Sequence, residues 1–185
     1  LEVLLVRRHG NSGVLGGVHV FPGGKLDAAD CAALPDWLDR APAAYGAALA
    51  EPGLDPAMAV GLHVAALRET REECGLHLAP RQLVPWSRWV TPRQPSVTNK
   101  RFDTRFFLAE VPAGQTARHD NHEATESAWL TPRAALGLYW ARAIELAPPQ
   151  IMSLAHLARH DTVDSAMAEA RGRKPPLVHP EPFEE

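Results

Sequence analysis

Residues 56–76, which read PAMAVGLHVAALRETREECGL, carry the most informative pattern in the sequence. Asp55, which precedes it, is a good N-cap residue, and Pro56 suits the first position of a helix. Gly75, near its end, is the residue type that most often terminates a helix. The sequence therefore predicts a helix over Pro56–Cys74.

On a helical wheel, this segment separates an apolar face from an acidic face. The apolar stripe consists of Val60, Val64, Leu67 and Cys74, and the opposite face carries Glu69, Glu72 and Glu73. Like charges about 6 Å apart repel by roughly 2–3 kcal/mol at an effective dielectric constant of about 20, and the helix dipole disfavours carboxylates at this end. A divalent cation would remove both penalties, and an all-oxygen donor set suits Mg²⁺ or Mn²⁺ rather than zinc. A solvated acidic face, partly neutralised by Arg68, is the alternative interpretation.

A glycine-rich turn, FPGGKLD at 21–27, precedes this helix. Paired glycines let the backbone approach a ligand or a neighbouring helix closely. Together, the turn and the stretch RETREECGL at 68–76 resemble the Nudix box, in which a glycine, a glutamate and an acidic helix follow one another at fixed spacing. Gly24 matches the glycine, Asp30 stands at the glutamate position, and Thr70 replaces an aliphatic residue. The two halves are separated by 37 residues where the family has seven, so the box carries an insertion.

An interrupted box of this kind resembles one branch of the Nudix hydrolases, the peroxisomal enzymes that act on coenzyme A and its thioesters and their bacterial relatives. Further segments that resemble this branch are 16–30, Arg101–Leu108, Trp129–Leu130 and Glu145–Gln150. The resemblance implies an α/β (α+β) Nudix fold, with a mixed, curved β-sheet sandwiched between helices and a helical insertion in the box. It also implies a single Nudix domain over 1–173, with the insertion at about 31–54, and a Pro-rich tail over 174–185.

The same resemblance implies a set of site residues. The metal ions, two or three Mg²⁺ or Mn²⁺, would be held by Glu69, Glu72, Glu73 and the backbone carbonyl of Gly23. The catalytic residues would be Arg68, Glu69, Glu72, Glu73 and Glu123, with Arg68 positioning the carboxylates and Glu126 as an alternative general base. Asp30 would support this arrangement, with Asp27 as an alternative. Water would then cleave the diphosphate bond of a nucleoside diphosphate derivative.

Cations and tryptophans gather in the segment that follows the acidic helix. Because a phosphate-rich nucleotide needs cations and an aromatic stacking surface, the predicted substrate-binding residues are Arg88, Trp89, Arg93, Lys100 and Arg101. Charges at a strand edge, with tryptophans in the core, are the alternative interpretation. The substrate that the resemblance implies is coenzyme A or acyl-CoA. ADP-ribose or a dinucleotide, and a non-catalytic Nudix-fold module that binds a nucleotide, are the alternatives.

The composition excludes several other classes of protein. The chain has 185 residues, a formal net charge of −3 and two cysteines, so it has neither the basic footprint of a nucleic-acid binder nor a disulfide framework. Its apolar runs are too short to span a bilayer. The last residues carry no peroxisomal address, which predicts a cytoplasmic protein, and a homodimer is left open.

Periodicity and turn residues predict the other elements. Strands are predicted over Glu2–Arg8, His19–Pro22, Leu83–Val90, Phe102–Val111 and Glu126–Leu130, and helices from Pro132, over Gln150–His160 and over Val163–Arg171. The insertion is expected to contain short helices and turns and to form part of the substrate-recognition surface, and the tail to be extended or mobile. His156 and His160 have a zinc-compatible i, i+4 spacing, but no acidic residue lies between them as in the metalloprotease motif, so we interpret them as a surface pair.

Overall fold

The computed structural model describes residues 1–10, 16–32, 36, 38–51, 53–92, 101–118 and 124–180. The strands in those residues are β1 Val3–Arg8, β2 His19–Val20, β3 Val84–Val90, β4 Asp103–Leu108, β5 Ala124–Leu130 and β6 Leu177–Val178. The helices are α1 Ala28–Ala32, α2 Pro42–Leu49, α3 Pro56–Cys74, α4 Pro132–Trp140, α5 Pro148–Leu157 and α6 Val163–Gly172, with a 3₁₀ turn at Pro80–Gln82. Within the described residues, none of these helices has the length and apolar character that crossing a bilayer requires.

The strands form two sheets of three strands each. In the first, β1 lies between β2 and β5 and is antiparallel to both, with Val6 opposite Val20 and Leu5 opposite Ala128. In the second, β3 lies between β4, which is antiparallel to it, and β6, which is parallel to it. The mixed α/β class is confirmed, but its strands divide into two sheets where one was expected. Hydrophobic patterns locate strands without identifying their partners, since pairing depends on residues distant in sequence.

Both ends of α3 lie where the sequence places them. At the N-terminus, the carboxylate of Asp55 accepts a hydrogen bond from the Met58 N–H at 3.0 Å. At the C-terminus, Gly75 adopts a left-handed φ of 67°, and its N–H donates to the carbonyl of Arg71. The predicted helix over Pro56–Cys74 is therefore confirmed, because local capping chemistry alone determines both boundaries.

The burial pattern of α3 differs from the single apolar stripe that was expected. Val60 and Cys74 are buried as predicted, but Leu67, at the centre of the stripe, is only half-buried. His63 and Glu73 are buried instead. A single apolar stripe is expected of a helix that packs against one surface. The helix α3 contacts α1, α2 and the 3₁₀ turn, so residues outside the stripe are buried too.

The inserted segment is part of the core. Tyr45 of α2 is fully buried and packs with Leu49, Ala59 and Val60. The ring of His63 lies against that of Tyr45, with the two centroids 4.8 Å apart. Burial lowers the pKa of His63 to about 4, so its imidazole is neutral near pH 7. The helix α2 confirms that the insertion contains a short helix, and its contacts show that the insertion supports α3. Its expected part in substrate recognition stays a prediction.

The C-terminal tail contributes the strand β6. Leu177 and Val178 lie in parallel register beside Arg88 and Trp89 of β3. Within the tail, Leu177 and Val178 therefore form an edge strand of the second sheet. Its proline-rich composition concealed this pairing, because prolines are compatible with the edges of sheets as well as with mobile tails.

Candidate active site

Arg68 is the centre of the candidate site. Its guanidinium donates to both carboxylate oxygens of Asp30, from Nε to Oδ1 and from Nη2 to Oδ2, at 3.0 Å each. Nη1 donates to Glu69 Oε1 at 2.9 Å and to Glu72 Oε2 at 3.0 Å. Nη2 also donates to the carbonyl of Lys25 at 3.0 Å. One side chain therefore joins the glycine-rich turn and α1 to the acidic end of α3, with the contacts of a positioning residue.

Asp30 reaches this cluster despite the 37 residues that separate it from Arg68. It is 5% exposed, and its Oδ2 accepts a hydrogen bond from the Asp27 N–H at 2.8 Å. The hydrogen bonds from Arg68 hold the pKa of the Asp30 carboxyl below its ordinary value of 3.8. The alternative supporting carboxylate, that of Asp27, is largely exposed and lies 3.6 Å from Arg68 Nη2. Asp30 is therefore the main carboxylate partner of Arg68 outside α3.

The lowered pKa of Asp30 predicts a pH dependence of stability. A carboxyl with a depressed pKa in the folded state stabilises the fold above its unfolded pKa, and this contribution is lost as the pH falls through the folded pKa. We expect Asp30→Asn to be less stable than the unchanged chain at pH 7, and we expect the difference to shrink below about pH 4. Urea unfolding between pH 7 and pH 3 measures it. A difference that stays constant over that range would contradict the role of Asp30.

Glu69 lies directly against the glycine-rich turn. Its side chain is 13% exposed, and a Cβ atom added to Gly24 would overlap its carboxylate. The absence of a side chain at position 24 thus lets the Glu69 carboxylate lie on the backbone of the turn while it accepts a hydrogen bond from Arg68.

Glu72 and Glu73 lie in different surroundings. The side chain of Glu72 is 51% exposed, whereas Glu73 is 4% exposed and its Oε2 accepts a hydrogen bond from the Gly23 N–H at 2.9 Å. Gly23 has a φ of 148°, a conformation that residues with side chains rarely adopt. The alternative interpretation of a solvated acidic face is thus wrong for Glu73, because this side chain is buried and contacts the turn. The predicted metal contact of the Gly23 carbonyl stays a prediction.

The donor chemistry of this site suits a hard divalent cation. Glu69, Glu72 and Glu73 offer carboxylate oxygens, which Mg²⁺ and Mn²⁺ prefer. Among the described residues, one group of three side chains has potential ligand atoms within 4.8 Å of one another, and it does not include these glutamates. The three glutamates therefore do not surround a single ion position completely. Mg²⁺ does not require complete enclosure, since it is usually held by one or two carboxylates together with waters and substrate phosphates. The open set therefore fits such an ion.

Some of the predicted site residues fall outside the part of the chain that the structure describes. These are the general-base candidate Glu123 and the substrate-binding candidates Arg93 and Lys100. The alternative base, Glu126, is an exposed residue of β5 in register with Arg7 of β1. The roles of these residues stay predictions.

Arg88 is engaged with carboxylates of its own chain. Its Nε and Nη2 contact the two Asp103 oxygens at 2.8 and 2.7 Å, and its Nη1 lies 2.7 Å from Glu51 Oε2. Arg105 contacts the same Glu51 carboxylate at 2.9 and 2.7 Å. Because Glu51 follows α2, this network fastens the insertion to β3 and β4. All three guanidinium nitrogens of Arg88 have partners, an arrangement that favours the alternative interpretation of strand-edge charge over substrate binding.

A cleft of about 1690 Å³ opens beside the glycine-rich turn. Its lining includes Gly23 and Gly24 of the turn together with Trp89 and Arg101, two of the predicted substrate-binding residues. Gln150 also lines it, which the sequence interpretation missed. This side chain is 6% exposed, and its Oε1 has no hydrogen-bond partner within the described residues. A polar residue on the same helix face as Leu154 and Leu157, which are buried, is the signal that could have identified it.

The fold and the sequence of the chain are similar to those of one class of protein. The crystal structure of a NUDIX hydrolase from Alicyclobacillus acidocaldarius matches the chain with a TM-score of 0.67 and 26% sequence identity, covering 90% of this chain and 87% of that one. A family model, the NUDT19 Nudix domain, matches residues 78–157. That match begins after the RETREECGL motif at 68–76, so the motif and the model are separate observations. The chain therefore has a Nudix fold and is similar to Nudix hydrolases in both sequence and structure.

The chain is also similar in sequence to three proteins of one name. The acyl-coenzyme A diphosphatase NUDT19 of Xenopus laevis is 26% identical, in an alignment that covers 84% of this chain and 59% of the relative. The proteins of the same name from Gallus gallus and Homo sapiens are 28% and 26% identical and are covered to 62% and 64% of their lengths, with 88% and 93% of this chain aligned. The chain thus spans about three fifths of the length of these relatives. The predicted resemblance to the coenzyme A branch is confirmed.

Proposed function

We propose that this chain is a divalent-metal-dependent hydrolase that cleaves the diphosphate bond of coenzyme A or acyl-CoA. The observation that carries the proposal is the set of three glutamates held in place by Arg68 and by the glycine-rich turn. The glycines of that turn line a large cleft. The names of the relatives support the choice of substrate.

The carboxylates of Glu69, Glu72 and Glu73 would hold the ions, which we propose to be two or three Mg²⁺ or Mn²⁺. When bound, such ions supply neutralisation of the diphosphate charge and Lewis-acid polarisation of a phosphoryl oxygen. The residues around them do the positioning. Arg68 holds Glu69 and Glu72 in place, and the Gly23 N–H holds Glu73. These contacts limit the side-chain freedom that ion binding would otherwise have to remove.

The cleft supports a substrate of the size of coenzyme A. A volume of about 1690 Å³ exceeds the roughly 300–1,000 Å³ that pockets for drug-sized ligands occupy. Its lining is mainly apolar, yet it includes Trp89, on which a base can stack, and the cationic Arg101. An anionic nucleotide joined to a long, less polar arm matches this combination of surfaces.

Hydrolysis of a panel of substrates tests the proposal. Purified protein with Mn²⁺ or Mg²⁺ is incubated with coenzyme A, several acyl-CoA species, ADP-ribose and dinucleotides, and the products are separated chromatographically. We expect coenzyme A species to react, with water adding to phosphorus and the P–O bond of the diphosphate breaking to give phosphopantetheine or its acyl derivative and adenosine 3′,5′-bisphosphate. A preference for ADP-ribose or a dinucleotide would overturn the substrate only. No hydrolysis of any member would overturn the activity. The cytoplasmic location and the homodimer stay predictions.

The contact between Gly24 and Glu69 predicts a selective loss of activity. Because a methyl group at position 24 would displace the Glu69 carboxylate, we expect Gly24→Ala to reduce hydrolysis by roughly 10–100-fold, the usual effect of misplacing a metal ligand through its supporting contacts. The fold is expected to persist, since the flexible end of Glu69 can move. Gly137→Ala in α4, where an added Cβ meets no atom within 4 Å, is the matched control. Equal activity of the two variants would contradict the assignment.

A further inference from the structure

A cluster of two histidines and a glutamate joins α5 to α6. His156 lies in the last turn of α5, His160 lies just beyond the end of that helix, and Glu169 of α6 contacts both. His156 Nε2 is 2.6 Å from Glu169 Oε1, and His160 Nε2 is 2.8 Å from Glu169 Oε2. One nitrogen of each histidine and one carboxylate oxygen thus all lie within 4.8 Å of one another.

The surroundings of the cluster orient its ligands. His160 Nδ1 lies 2.8 Å from Ser165 Oγ, which leaves Nε2 as the nitrogen that faces Glu169. The ring of His156 lies against that of Trp86, with their centroids 4.7 Å apart. The side chains of His160 and His156 are 9% and 29% exposed, so the pair is partly buried rather than lying fully on the surface. The sequence interpretation missed the acidic partner, because that residue comes from the next helix rather than from between the histidines.

We propose that His156, His160 and Glu169 form a binding site for a transition-metal ion, of which Zn²⁺ is the best match. Two imidazole nitrogens and one carboxylate oxygen are ligands that zinc accepts in a tetrahedral set, with the fourth position left to water. Imidazole nitrogen favours zinc and its neighbours in the first transition series over Mg²⁺, which favours oxygen. The cluster therefore differs in metal preference from the glutamates of α3.

One neighbouring charge acts against metal binding. Arg173 Nε lies 3.3 Å from Glu169 Oε1, on the side of the carboxylate that also faces His156. Glu169 Oε2 faces His160 instead, and this oxygen can serve as the ligand while Oε1 keeps its contact with Arg173. A zinc ion bound in this way would fix α5 to α6 and would make the position of Trp86 beneath them depend on the metal.

Binding of Zn²⁺ and Co²⁺ to the whole chain tests the site. Calorimetric titration is carried out in excess Mg²⁺, which saturates sites built from oxygen alone. We expect one equivalent of Zn²⁺ per chain, a Co²⁺ complex with the visible absorption of tetrahedral coordination, and a melting temperature raised by about 5–10 °C at a free Zn²⁺ concentration of about 100 Kd. In His160→Ala and in the nearly isosteric Glu169→Gln, we expect affinity to fall by more than the roughly 10–100-fold that supporting contacts contribute.

The exposed His77 provides a matched control, since His77→Ala removes one imidazole far from the cluster in sequence. This variant is expected to bind Zn²⁺ as the unchanged chain does. Circular dichroism establishes whether each variant is folded. If His160→Ala does not fold, Glu169→Gln still tests the site. Absence of Zn²⁺ binding in excess Mg²⁺, or equal binding by Glu169→Gln and the unchanged chain, would overturn the site. Hydrolysis in Mg²⁺ is expected to stay unchanged in Glu169→Gln, so this result is independent of the proposed activity.

Discussion

Glu72→Gln is expected to abolish diphosphate hydrolysis while leaving the chain folded. Glu72 is the most exposed of the three glutamates, and its loss removes a carboxylate ligand together with one ion pair of Arg68. We expect hydrolysis to fall by at least about 100-fold, since a ligand contributes more than the roughly 10–100-fold of the residues that support it. The melting temperature is expected to change little, because exposed ion pairs contribute only about 0–1 kcal/mol. Rates measured at saturating Mn²⁺, together with thermal unfolding, distinguish the two effects.

The same measurements on Glu73→Gln, and on a control variant far from the site, show whether the loss of activity is specific to the glutamates. Glu73 is buried and accepts the Gly23 N–H, so Glu73→Gln is expected to lose activity and also to loosen the turn, with a lower melting temperature. Asp164→Asn, an exposed carboxylate-to-amide change in the first turn of α6, is expected to keep full activity. Full activity in Glu72→Gln would mean that this carboxylate is not part of the catalytic site.

Arg68→Ala is expected to destabilise the fold as well as to reduce activity. It leaves the buried carboxylate of Asp30 without its guanidinium partner. Removing one partner of a buried pair costs about 3 kcal/mol at the lower end of the usual range, and the partial exposure of Arg68 places it there. For a chain of this length, the loss corresponds to a melting temperature lower by roughly 6–12 °C. Urea unfolding at pH 7 measures the free energy.

A double-mutant cycle separates the charge effect from the loss of packing. In the Arg68→Ala background, Asp30→Asn removes the unpaired charge, and we expect it to recover part of the lost stability although it is destabilising alone. Arg71→Ala is the matched control on the same helix, because Arg71 is exposed, and its expected cost is about 0.5 kcal/mol. Additive effects of the Arg68 and Asp30 changes would show that the pair has no specific coupling.

The sequence predicted the structure correctly where contacts between residues close in sequence determine it. Asp55 and Gly75 terminate α3 through contacts with residues a few positions away, and both ends were predicted correctly. The acidic motif was recognisable for the same reason, since its residues lie on successive turns of one helix. Asp30 was identified from its place in the motif, although the motif alone left its role uncertain.

Features that depend on contacts between residues far apart in the sequence were harder to predict. The burial of Glu73 depends on a turn 50 residues earlier, and the partners of Arg88 come from the insertion and from β4. Glu169 completes the histidine cluster from a different helix. In each case the residue type was visible in the sequence, but its partner was not, because packing between elements determines which side chains meet.

The bidentate contact between Arg68 and Asp30 has a consequence for how motifs of this kind are recognised. It joins the two halves of the box directly, so the length of chain between them is not a condition of the site. Lengthening a connection from seven to 37 residues raises its closure entropy cost by only about 1.5 kcal/mol, which one buried ion pair can offset. The motif is thus defined by contacts between its residues and not by the number of residues between its halves. A sequence search that requires fixed spacing would miss proteins in which the same contact closes a longer loop.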